Sequence, residues 1–135
     1  MPQESFDAPP ILGGVHVLLV ENDSDSLEVL KAVLEYTGAL VSTATSAREA
    51  LGTLERIRPD VIVSDIAMPG DDGYWLVRQV RAQQHTGTIP AVAVTVYNRP
   101  EDRRRALDAG FQAHLSKPVD PWEFCRLVGA LARRA

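Results

Sequence analysis

An open α/β fold, a parallel sheet with helices on both faces, is what this sequence predicts, and three observations carry the prediction. Short apolar runs alternate five times with stretches whose apolar residues recur at helical spacing. Several runs are apolar without a break, as expected of strands covered on both faces. No internal repeat interrupts the 135 residues, a length usual for one domain. Strands alternating with helices imply a parallel sheet joined by right-handed crossovers.

Each element follows from local signals. Residues 1–13 (MPQESFDAPPILG) hold three prolines and little periodicity, and read as a tail or linker before a domain spanning 14–135. Residues 15–20, VHVLLV, form the first strand. Asp25-Ser26-Leu27-Glu28 has capping-box spacing. Leu27, Leu30 and Leu34 then mark a helix that Gly38 stops. Residues 39–44 are a weaker strand whose polar Ser42 and Thr43 place it near an edge. Ser46-Ala47-Arg48-Glu49 is a second capping box, followed by one helix face of Ala47, Ala50, Leu51 and Leu54. Residues 61–65, VIVSD, make a third strand that ends on an aspartate, and Tyr74, Val77 and Val80 mark the third helix. Residues 91–95 form a fourth strand. Pro100 lies near the start of a fourth helix, which Gly110 ends. Residues 113–116 give a short fifth strand, and Asp120-Pro121 opens a last helix with Phe124, Leu127, Val128 and Leu131.

Composition narrows the function. With 45% apolar and 24% charged residues the chain can build a proper core. A net charge of −4 gives no basic footprint for nucleic acid. The densest basic run, Arg103-Arg104-Arg105, reads as a solvated helix face. The single cysteine, Cys125, excludes an internal disulfide and fits a reducing compartment. It falls in an apolar helix pattern and reads as a small core residue. Residues 11–20 are too short to span a bilayer, and the amino terminus lacks a signal peptide's charged and apolar regions. A soluble cytoplasmic protein is expected, with no membrane contact and no direct nucleic-acid binding.

In a parallel sheet every strand's carboxyl end reaches the same edge, where open α/β sheets bind ligands. Glu21, Asn22 and Asp23 follow the first strand, Asp65 the third, Thr95 closes the fourth, and Lys117 with Pro118 follows the fifth. From its own stretch, VSDIAMPGDDG, Asp65 is equally a turn cap. The converging set makes chemical sense for one job. Clustered oxygens favour Mg²⁺, which takes one or two carboxylates plus waters and phosphate oxygens. A metal and a lysine neutralise a phosphoryl group, and a carboxylate is itself able to act as the nucleophile that becomes an acyl phosphate.

VLLVENDSDS, DVIVSDIAMPGDDG, PAVAVTVY and HLSKP, in this order, resemble the response-regulator receiver domain of two-component signalling over residues 15–133. The resemblance implies a flavodoxin-like (βα)5 sandwich with strand order 2-1-3-4-5. It implies phosphoacceptor Asp65 loaded from a histidine kinase or a histidine-phosphotransfer domain, with Lys117 on the phosphoryl group and Thr95 as the switch hydroxyl. Mg²⁺ would be held by Glu21, Asn22, Asp65 and the backbone carbonyl of Ala67. The Lys117–Pro118 bond would be cis. Such a domain is a signalling phosphoacceptor rather than an enzyme, and switches the surface of its fourth helix, fifth strand and fifth helix, through which a homodimer is also expected. The run RPEDRRRALDAGFQAHLSKPVDP is similar to receivers attached to hybrid sensor kinases.

Three departures from the family pattern matter. The usual acidic pair after the first strand is Glu21-Asn22 here, so weaker Mg²⁺ binding is expected unless Asp23 compensates. A degenerate receiver that acts as an interaction module without phosphorylation is the alternative. His114 stands where a Tyr or Phe is usual, so it is either a coupled switch with Thr95 or a half-buried strand histidine with one satisfied nitrogen. Ala67 and Tyr97 occupy the positions that tune acyl-phosphate lifetime. Neither positions water well, so slow self-hydrolysis is expected, with Tyr97 as a shield or as a surface aromatic in a partner groove.

Other phosphate chemistries fit less well. Haloacid-dehalogenase-like phosphatases need Asp-x-Asp after the first strand, where this chain has Glu-Asn-Asp. Gly13-Gly14 precedes the first strand, on the wrong side for a phosphate loop, and neither Gly-x-Gly-x-x-Gly nor Gly-x-Ser-x-Gly occurs.

Overall fold

The computed structural model describes residues 11–133. Five strands, β1 (His16–Val20), β2 (Leu40–Ala44), β3 (Val61–Ser64), β4 (Ala91–Thr95) and β5 (Ala113–Ser116), alternate with five helices. These are α1 (Ser24–Tyr36), α2 (Ala47–Leu54), α3 (Gly73–Ala82), α4 (Pro100–Ala109) and α5 (Pro121–Ala132). All strand pairs are parallel, in the order β2-β1-β3-β4-β5. The expected flavodoxin-like (βα)5 architecture is the one observed.

Strand periodicity divides the interior into two cores. Successive side chains point to opposite faces, so Leu18 and Val20 of β1 join Ala50, Tyr74, Val77 and Ala106 on one side. Val17 and Leu19 join Leu30, Leu34, Phe124 and Val128 on the other. Burial of each such Val or Leu contributes about 1.5–3 kcal/mol, which is why β1, β3 and β4 are apolar throughout. β2 lies at an edge, as its polar residues predicted, and leaves Leu40 66% exposed.

The helix starts refine the sequence reading. The cap of α1 is Asp23, not Asp25: its Oδ2 accepts from Ser26 N at 2.9 Å, and Asp25 lies inside the first turn. The Asp25–Glu28 spacing is therefore not a capping box, because the chain turns helical two residues earlier. Ser46 does cap α2, accepting from Glu49 N at 3.1 Å. Glu49 reaches past Ser46 to Thr45 N at 2.6 Å, so the reciprocal half of that box closes one residue upstream. Gly110 ends α4 with φ +129, a conformation that favours glycine.

The domain boundary falls earlier than residue 14. Leu12 is fully buried in the α1/α5 core, its N–H donates to Thr37 O at 2.9 Å, and Val15 N returns to Leu12 O at 3.0 Å. Residues 11–13 thus belong to the fold, because two apolar side chains at the foot of α1 and α5 outweigh the weak periodicity. The tail assignment for residues 1–10 lies outside the described residues. Among the described residues no helix is long and apolar enough to cross a membrane.

Candidate functional site

Strand register builds the site. Val20 pairs with both Ala44 and Ser64, and Thr95 pairs with Ser116. The ladder continues one step beyond the strands: Glu21 N donates to Ala44 O at 3.0 Å, Asp65 N to Val20 O at 3.0 Å, and Lys117 N to Thr95 O at 2.9 Å. The residues immediately after β1, β3 and β5 are thereby placed at one edge, with Thr95 at the end of β4.

Lys117 joins two of them. Its Nζ lies 3.0 Å from Asp65 Oδ2 and donates also to Glu21 Oε1. Asp65 is 8% exposed and its other oxygen, Oδ1, accepts from Ala67 N at 3.1 Å. Glu21 is 1% exposed, and its Oε2 accepts from Asp23 N at 3.1 Å. Burial pushes the Glu21 carboxyl up from its ordinary value, and the Asp65 charge adds to this, against the pull of Lys117 and the Asp23 N–H. For Lys117 burial acts to lower the pKa, but hydrogen bonds to Glu21 and Asp65 outweigh it and hold the ammonium above its ordinary value. The Lys117 shift expresses a half-enclosed cation shared by two carboxylates, whereas the Glu21 shift expresses burial that this shared cation only partly offsets.

The remaining predicted residues lie around this centre. Thr95 is fully buried, and its Oγ1 accepts from Tyr97 N at 3.2 Å. Among the described residues Thr95 and Asn22 make no side-chain hydrogen bond to Asp65. Asn22 is exposed at the rim. His114 is buried, with Nε2 2.8 Å from Tyr97 O. A carbonyl only accepts, so Nε2 carries the proton. One ring nitrogen of His114 is satisfied in this way, and the ring is deeper than half-buried. Tyr97 is 43% exposed, and its backbone touches both Thr95 and His114. Lys117–Pro118 is cis, as expected.

Asp23, beside Asn22, is engaged through one of its two oxygens. Its Oδ2 is committed to Ser26 N, and that hydrogen bond lowers its pKa. Asp23 caps the helix because the α1 start lies immediately after it.

Sequence reasoning passed over two residues. A Cβ on Gly73 would press on Asp65 O and lie 2.7 Å from Ile66 Cα, so only glycine lets α3 start against the Asp65 turn. Gly73 N in turn donates to Ile66 O at 3.0 Å. The Gly following two aspartates was the available signal. Tyr74 was read only as an apolar helix marker, but its hydroxyl is buried with no hydrogen-bond partner, and the Arg105 guanidinium lies 4.1 Å from its ring centroid. One of the three arginines read as solvated thus packs on α3.

Oxygens of Asp65, the Asn22 amide and the Ala67 carbonyl are hard donors, which suits Mg²⁺. Among the described residues no group of three or more His, Cys, Asp or Glu side chains is arranged to hold a metal. A cation here would therefore draw on amide, backbone and external oxygens besides the carboxylates of Asp65 and Glu21.

A five-stranded 2-1-3-4-5 sheet with a lysine-bridged aspartate at its carboxyl edge defines the receiver class of two-component proteins. The chain belongs to the response regulator receiver domain family, which matches residues 17–128. It is 47% identical over 117 residues to an uncharacterised 14.6 kDa protein from Leptolyngbya boryana, covering 87% of this chain and 89% of that one. It is 39% identical over 118 residues to the transcriptional regulatory protein PrrA of Mycobacterium leprae, covering 87% of this chain but only 50% of that relative. It is 31% identical over 132 residues to the hybrid signal transduction histidine kinase D of Dictyostelium discoideum, 92% of this chain but 8% of the kinase. Among solved structures, the receiver domain of sensor histidine kinase PA1611 from Pseudomonas aeruginosa PAO1, with a magnesium ion coordinated in its active site cleft, superposes with TM-score 0.82. The two are 31% identical, over 88% of this chain and 98% of that domain.

Proposed function

We propose that the chain is a phosphoacceptor of a two-component relay. An Asp65 oxygen attacks the phosphorus of a phosphohistidine on a histidine kinase or histidine-phosphotransfer domain. The P–N bond breaks, its electron pair returns to the imidazole, and an acyl phosphate remains on Asp65. Lys117 stays beside the acceptor and neutralises incoming charge. Mg²⁺ would be held by Glu21, Asn22, Asp65 and Ala67 O, and when bound would supply charge neutralisation on the phosphoryl oxygens. Thr95, whose Oγ1 accepts from Tyr97 N–H, donates its hydroxyl proton to a phosphoryl oxygen. The added charge, about −1.5 to −2, biases the surface of α4, β5 and α5 toward a second arrangement that a partner or second copy reads. The chain acts in the cytoplasm as a signalling domain, not as a turnover enzyme, and without touching DNA.

The observation that carries this reading is Lys117 Nζ at 3.0 Å from Asp65 Oδ2, in a pocket of buried acids. Exposed Asn22 and the committed Asp23 favour a second reading, a degenerate receiver that binds partners without phosphate. Intact-mass analysis after acetyl phosphate and Mg²⁺ separates them. Wild type is expected to gain one phosphoryl unit and Asp65→Asn none. An unmodified wild type leaves the interaction module.

A further inference from the structure

We propose that this chain takes up its divalent cation together with the phosphoryl group rather than ahead of it, because Asn22 withholds the charge that would hold the cation alone. The inference rests on the phosphoacceptor reading of Asp65.

Most carboxylate oxygens at the site already accept one hydrogen bond. Asp65 Oδ2 faces Lys117 and Oδ1 accepts from Ala67 N–H. Glu21 uses Oε1 for Lys117 and Oε2 for the Asp23 N–H. Asp23 caps α1. The buried carboxylates of Glu21 and Asp65 with the Lys117 ammonium leave a single net negative charge, Asp23 adds another only from the exposed margin where water screens it, and position 22 adds a neutral amide. A doubly charged cation would turn the centre positive while sharing Asp65 with Lys117. Mg²⁺ gives up water reluctantly and is ordinarily held by one or two carboxylates plus substrate phosphates. No grouping of three acidic or imidazole side chains stands ready among the described residues.

A phosphoryl group changes both terms. It brings about −1.5 to −2 of charge and three acceptor oxygens, restoring net negative charge around the cation and completing its ligands. Linkage makes this reciprocal: the factor by which the phosphoryl group tightens the cation is the factor by which the cation tightens the phosphoryl group. A carboxylate at position 22 would supply the missing charge beforehand. The cation then becomes a constituent of the loaded state and not of the resting one.

Calorimetric titration of MgCl₂ into the 135-residue chain, with and without beryllium fluoride as the phosphoryl mimic, tests this in wild type and Asn22→Asp. Beryllium fluoride is expected to tighten Mg²⁺ binding to wild type about tenfold or more. Without it, Asn22→Asp is expected to bind Mg²⁺ about tenfold or more tightly than wild type. Wild-type affinity within roughly threefold of Asn22→Asp, both measured alone, overturns the proposal. So does a wild type that takes up beryllium fluoride with no change in Mg²⁺ affinity. If Asn22→Asp binds Mg²⁺ but neither protein takes up beryllium fluoride, the phosphoacceptor reading falls as well.

Discussion

One ammonium, that of Lys117, holds Asp65 and Glu21 together: Nζ sits 3.0 Å from Asp65 Oδ2 and donates to Glu21 as well. Residues 96 positions apart are thereby joined across the ends of three strands. Removing the cation leaves two enclosed carboxylates facing each other. Lys117→Ala is expected to lower stability by about 2–3 kcal/mol, below the full cost of a broken buried pair because the lysine side chain is 17% exposed. Urea unfolding measures it, and a loss under about 0.5 kcal/mol would mean that water already screens the cluster.

Gly73→Ala is expected to cost about 1–3 kcal/mol as an overpacked contact, since the new Cβ meets the Asp65 and Ile66 backbone. Relief requires the 65–67 turn to move, carrying the Ala67 carbonyl with it. Mg²⁺ affinity in the presence of beryllium fluoride should therefore fall along with thermal stability. Unchanged values of both would show that the turn yields freely.

Tyr74→Phe removes a buried hydroxyl that has no partner while keeping the ring under Arg105. A gain of about 1 kcal/mol is expected, the lower end of the penalty for an unsatisfied buried group. Denaturant midpoints at constant slope read the change, and a destabilised variant would reveal a partner for the hydroxyl.

Burial holds the Cys125 thiol above its ordinary 9.0, against the opposing hydrogen bond from Thr37 Oγ1 at 3.5 Å. The folded chain keeps this proton at pH values where the unfolded chain has released it. The folded state then binds more protons, so stability falls as pH rises from 9.0 through the raised native value. In Cys125→Ala that component is gone. The wild-type advantage over the variant should be constant below pH 9.0 and shrink above it, and a constant difference between about pH 8 and pH 10.5 rules this out.

Tyr97 stands half-exposed two residues beyond Thr95, and Ala67 two beyond Asp65. Neither is an acid or amide that would position a water if Asp65 carried the proposed acyl phosphate. Tyr97→Glu is expected to speed phosphate loss roughly tenfold, less than full general-base assistance. Decay of the phosphorylated mass with time reports the rate, and equal lifetimes would remove Tyr97 from this role.

The fold was legible because its signals are local and repeat along the chain. Unbroken apolar runs such as VHVLLV require cover on both faces, and helical spacing between them supplies it. Once the sheet is parallel, Asp65, Lys117 and Thr95 must share an edge, whatever their distance in the chain. Ser42 and Thr43 marked the β2 edge for the same reason: polar residues stay near water.

What the sequence alone determined, then, is which residues reach the carboxyl edge. Which partner each takes there was decided only by the tertiary structure. Asp23 also caps α1 through one oxygen, which the Asp25–Glu28 spacing did not foretell. That Glu21 shares the Lys117 ammonium with Asp65 is settled only by the reach of Lys117 from β5. Ile11 and Leu12 look like tail until the feet of α1 and α5 close over them, and Arg105 looks solvated until α4 lies on α3. Strand and helix patterns follow from periodicity, which a chain displays by itself. The choice among competing hydrogen-bond and packing partners turns on fractions of an ångström between segments far apart in the chain, and only the packed molecule sets those distances.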